Sequence, residues 1–119
     1  MSDSPYIESK SQLIEYLASG CKPKSEWKVG TEHEKFGFHE SNLKTIGYKE
    51  EGGILDILTG LKDQFGWQGQ YEGENLIALI RDGCSVSLEP GGQLELSGAP
   101  LADIHQTCTE TNVHLKEVK

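Results

Sequence analysis

The run Ser85-Val86-Ser87-Leu88-Glu89-Pro90-Gly91-Gly92-Gln93-Leu94-Glu95-Leu96-Ser97 alternates polar and apolar residues across a Pro-Gly-Gly break. In an extended chain successive side chains point to opposite faces. Ser85, Ser87 and Glu89 therefore share one face, and Val86 and Leu88 the other. Beyond the break, Gln93, Glu95 and Ser97 alternate in the same way with Leu94 and Leu96. Such a sequence folds as a sheet that buries Val and Leu beneath and lifts carboxylates above. The segment Gly30-Thr31-Glu32-His33-Glu34-Lys35-Phe36-Gly37-Phe38 is of the same kind, with Glu32 and Glu34 on one side.

Around these segments the pattern predicts one α+β domain over residues 1–119: an antiparallel sheet with helices packed on one face. Ser9 to Gly20 reads as a helix, with capping-box spacing between Ser9 and Gln12 and an apolar stripe of Leu13, Ile14, Leu17 and Ala18. Trp27 to His39 reads as a strand in which Gly30 and Gly37 mark bulges or close backbone approach. Ile54 to Phe65 reads as a second helix stopped by Gly66. Short strands follow at about Trp67–Glu72, Leu76–Arg81, Cys84–Glu89 and Gln93–Leu96, with Asp82-Gly83 as a hairpin turn. A last helix is expected to open near Pro100 and to bury Leu101, Ile104, Cys108, Thr111, Leu115 and Val118. That stripe is still running at Lys119, with no Gly, Asn or Pro to close it.

With 11 basic against 19 acidic residues the net charge is −8. Phosphate backbones and anionic bilayers need clustered Lys and Arg, so neither nucleic acid nor a membrane is an expected partner. Cys21, Cys84 and Cys108 form no Cys-x-x-Cys pair, which suits reduced thiols and a cytoplasmic location. Cys84 and Cys108 read as small core residues. The N-terminal residues carry neither a signal-peptide nor a transit-peptide pattern.

Glu32 and Glu34, two apart on one strand, set their carboxyl groups about 7 Å apart. Glu89 and Glu95 come either from adjoining strands or from one bulged strand. Four carboxylates on one floor raise one another's pKa values unless cations compensate, which is the physical argument for a hard divalent ion. Glutamates at alternate strand positions also suit a sheet face that simply meets water. His33 falls on the opposite strand face, as a half-buried hydrogen-bonded residue, and belongs to no His-Glu-x-x-His zinc motif. His105 and His114 are expected at solvent or an interface. Gly91-Gly92 reads as a tight turn, since no Gly-Lys-Ser/Thr or GxGxxG pattern accompanies it.

Val29 to Phe38 and Ser87 to Leu101 closely resemble glutamate–cysteine ligases of the plant and proteobacterial type, and His105-Gln106-Thr107-Cys108 continues the match. The resemblance runs roughly from Trp27 to Lys119, weakest between Ser41 and Glu74; Leu94 stands where the family pattern has Phe. It implies a carboxylate–amine ligase fold related to glutamine synthetase, with Glu32, Glu34, Glu89 and Glu95 as Mg²⁺ ligands. It implies ATP, glutamate and cysteine as substrates, an acyl phosphate, and the first step of glutathione synthesis. Family chains are several times longer, so residues 1–119 are expected to be the N-terminal portion of a larger catalytic domain, inactive alone and prone to self-association. The family's substrate-binding arginines are expected beyond Lys119, and Arg81 matches none of them. Two other readings stay open: a sister ligase using another amine, and an acidic module that binds a cation or partner without catalysis.

Overall fold

The computed structural model describes residues 6–119. Its helices are α1 (Lys10–Ser19), α2 (Ile54–Phe65) and α3 (Ile104–Glu117); its strands are β1 (Glu32–Lys35), β2 (Gln68–Glu72), β3 (Asn75–Arg81), β4 (Cys84–Leu88) and β5 (Leu94–Ser97). The strands form one antiparallel sheet in the order β1-β5-β4-β3-β2. The expected α+β arrangement is therefore present.

Strand alternation divides the sheet into two faces. Leu96, Val86 and Leu79 lie opposite one another across β5, β4 and β3, and all three are buried. Ile54, Leu58 and Leu61 of α2 complete the core over them. Glu95, Ser87 and Ala78 line up across the same strands on the other face.

Two turns hold this register. Asp82 and Gly83 both have positive φ, 50° and 82°, as a two-residue hairpin between β3 and β4 requires. In the β4–β5 turn the Gly92 amide donates to the Glu89 carbonyl at 2.9 Å, and Gly92 takes φ 85°. Gly91-Gly92 thus serves the tight turn its sequence suggested.

The predicted first strand shortens to Glu32–Lys35. Beyond it, Gly37 accepts from the Ile46 amide, and a Cβ on Gly37 would come within 2.9 Å of Ile46 Cγ1. Close approach explains this glycine. Gly30 has only ordinary contacts.

Helix α1 forms with its capping box intact, but none of its residues is buried. Leu13, Ile14 and Leu17 stay exposed because nothing among the described residues packs on them. Among the described residues, no helix is long and apolar enough to cross a membrane.

Helix α3 starts later than Pro100 suggested, with Asp103 as its cap accepting from the His105 and Gln106 amides. It is also rotated from the expected stripe. Thr107 and His114 face the core, while Cys108 and Ile104 are exposed. The readings of Cys108 as core and His114 as surface are thereby corrected; Cys84 is buried as expected.

The rotation follows from polar anchors that outrank the weak apolar stripe. Glu117 takes a bidentate pair from Arg81 at 3.0 and 3.1 Å and a bond from Trp67 Nε1 at 3.1 Å. Arg81 also stacks 4.0 Å over the Trp67 ring. Arg81 is a fold residue that locks α3 to the sheet. Lysine can neither fork nor stack in this way. Arg81→Lys is expected to cost about 2 kcal/mol of stability by urea unfolding; a loss below ~0.5 kcal/mol would class the pair with ordinary surface ion pairs.

Candidate metal-binding carboxylate floor

Glu32 and Glu34 rise from β1, where Glu32 lies opposite Ser97 and Glu34 opposite Glu95 of β5. Glu95 in turn lies opposite Ser87 of β4. Glu89 follows β4, and its amide donates to the Gln93 carbonyl at 2.9 Å. The register sets Glu32, Glu34 and Glu95 on the face away from α2 and α3, and Glu89, just past the end of β4, stays on that side through its bond from Ser87.

Their proximity is visible in the ionisation of Glu34. Its carboxyl is held above the usual range by lost hydration first, then by the hydrogen bond and charge of Glu95, then by the charges of Glu89 and Glu32. Each neighbour disfavours a further negative charge, so a cation over the floor is favoured by all four.

Two serines reinforce the site, and the sequence reading gave them no role. Ser97 Oγ donates to Glu95 Oε1 at 2.6 Å, and Ser87 Oγ donates to Glu89 Oε1 at 2.9 Å. Each hydroxyl sits two residues from its glutamate on one strand face, so Ser-x-Glu and Glu-x-Ser spacings were the available signal. Each bond fixes one carboxylate oxygen.

The donor set is hard oxygen, which suits Mg²⁺. Among the described residues no three His, Cys, Asp or Glu side chains converge into a metal-holding group. Such donors would suit an ion held by one or two carboxylates and completed by other oxygen ligands. It is an open surface. A cavity of about 410 Å³ lies on the other face, against α3, and includes none of the four glutamates.

His33 lies on the far strand face, half-buried, with Lys35 Nζ 3.0 Å from its Nδ1. It is no partner for the floor, in agreement with its strand position.

The sequence signature described as Glutamate-cysteine ligase family 2 (GCS2) matches residues 28–119. A chloroplastic glutamate–cysteine ligase of Medicago truncatula is 52% identical over 111 residues, which are 93% of this chain and 21% of that protein. Chloroplastic glutamate–cysteine ligase A of Oryza sativa subsp. japonica is 54% identical, over 93% of this chain and 22% of its own length. The Arabidopsis thaliana relative is 50% identical, over 93% and 21%. The chain thus spans about a fifth of the length of the curated relatives it matches. The match also reaches further toward the N-terminus than Trp27, the expected limit.

These names correct the expected cytoplasmic location. The relatives are named chloroplastic, which points to a plastid. Unpaired cysteines do not say which compartment holds the protein. The signature spans both carboxylate motifs and the helix behind them, and the chain belongs to Glutamate-cysteine ligase family 2.

Proposed function

We propose that the complete protein joins the glutamate γ-carboxyl to the cysteine amine at the expense of ATP, the first step of glutathione synthesis, and that this chain supplies the Mg²⁺-binding floor. The family membership supports the ligation, and the placement of Glu32, Glu34, Glu89 and Glu95 on one sheet face supports the reading of the site. A bound Mg²⁺, held by one or two of these glutamates, would neutralise charge on the ATP phosphates.

The residues of this chain do the rest of the positioning. Glu95 and Glu89 each have one carboxylate oxygen tied to a serine, which restrains the carboxyl group. Glu34 and Glu32 provide charge from the neighbouring strand. In the reaction a γ-carboxylate oxygen of glutamate attacks the γ-phosphorus of ATP, and the bond to ADP breaks. The cysteine amine then attacks the resulting acyl phosphate, expelling phosphate and losing a proton as the amide forms.

Incubating the complete protein with ATP, glutamate and Mg²⁺ is expected to release phosphate in step with added cysteine. Release that ignores cysteine but follows another amine would assign a sister ligase. No release with any amine, in a folded protein, would leave a cation-binding module.

A further inference from the structure

Behind the floor, the pairing of β1 with β5 is interrupted. Glu32 pairs with Ser97, and pairing resumes where Val29 and Leu101 exchange two backbone bonds of 2.8 Å. Between these points the β5 side carries Gly98, Ala99 and Pro100, while the β1 side carries only Gly30 and Thr31. One side is a residue longer: a β-bulge next to the proposed site, where bulges bend a strand and re-aim its side chains.

Such a bulge leaves a backbone amide without a ladder partner, and a buried orphan amide is costly. The Gly98 amide reaches the Thr31 carbonyl at 2.6 Å, the Leu101 amide is paired, and Pro100 has none. The remaining amide, Ala99, donates to Glu110 Oε2 of α3 at 3.0 Å. The second oxygen, Oε1, is buried without a partner and lies directly against Gly98. Gly98 has no room for a Cβ: one would also come within 2.8 Å of the Thr31 carbonyl. A carboxylate from the opposite layer thus fills the gap that the bulge opens.

β1 is a four-residue edge strand paired only to β5. Its position sets whether Glu34 stands opposite Glu95. We propose that Glu110 is a positioning residue for the carboxylate floor: by clamping the Gly98–Ala99 bulge it holds β1 in the register and tilt that oppose Glu34 to Glu95. The proposal rests on the metal-floor reading above, which Glu110 serves without touching substrate or ion.

The test uses the complete protein and the variants Glu110→Ala, Glu110→Asp and Glu110→Gln. Glutamine keeps an acceptor for the Ala99 amide, aspartate falls one methylene short, and alanine leaves the amide orphaned. The Mg²⁺ concentration for half-maximal activity is expected to rise at least ~10-fold in Glu110→Ala, as for other groups that orient metal ligands. Glu110→Gln is expected to recover most of that change, with Glu110→Asp between them. Should Glu110→Ala fail to fold, the contrast between Asp and Gln carries the test.

The second readout does not depend on activity. The cross-strand backbone NOEs that report Glu34 opposite Glu95 are expected to weaken in Glu110→Ala and to persist in Glu110→Gln. A lowered melting temperature with unchanged β1–β5 NOEs and an unchanged Mg²⁺ requirement would overturn the positioning role. A parent protein with no Mg²⁺ requirement would instead refute the metal-floor reading, and the β1–β5 NOEs would still decide whether Glu110 holds the register.

Discussion

Glu95→Gln is expected to lower turnover of the complete protein by at least ~100-fold while leaving its thermal unfolding close to that of the parent. Glu95 stands at the middle of the floor, with Glu34 opposite it on one side and Ser87 on the other. Glutamine has the same shape and still accepts from Ser97, so the sheet has little reason to change. It lacks the charge, which is what a phosphate-bridging cation needs. The change also removes the largest charged neighbour of Glu34, whose pKa is expected to fall. Glu89→Gln is expected to act in the same direction. Ordinary activity at ordinary Mg²⁺ in either variant would take that glutamate out of the site.

The second large effect concerns stability. His114 is 2% exposed, and neither ring nitrogen has a hydrogen-bond partner. Burial lowers its pKa from 6.5 to about 4, helped by Lys35 and His33 from β1 and by Arg81 from β3, against the opposing pull of Glu117 on its own helix. The folded state thus binds the proton less readily than the unfolded chain does. Stability from this group is complete above pH 6.5 and is lost as pH falls toward 4. The loss amounts to about 3 kcal/mol across that window. Urea midpoints measured between pH 7 and pH 4 should show it, and His114→Leu should flatten that part of the profile. An equal decline in parent and variant would assign the acid sensitivity to other groups.

How far these features were legible depends on the range of the interactions that produce them. The alternation from Ser85 to Ser97, the Asp82-Gly83 turn and the Ile54–Phe65 stripe are local patterns, and each appears close to where its residues predict. That all four glutamates lie on one face follows from strand alternation once β1 pairs with β5. The register that opposes Glu34 to Glu95 does not, because it depends on a bulge whose stabilising carboxylate comes from α3. The rotation of α3 escaped for a related reason. Its apolar stripe is weak, and the pairs of Glu117 with Arg81 and Glu110 with Ala99 choose the buried face, drawing in His114 and leaving Cys108 outside. Long-range polar contacts of this kind leave no periodic trace in a sequence.

The central claim is that the four glutamates form one cation-binding floor. Substoichiometric Mn²⁺, added to the complete protein with ¹³C-labelled glutamate, tests it through paramagnetic broadening of the carboxyl resonances. Glu34, Glu95, Glu89 and Glu32 should broaden first and together, and Mg²⁺ should restore them. Broadening spread evenly over the other surface carboxylates of this acidic chain, with the floor no more affected than Glu40 or Glu72, would contradict the account.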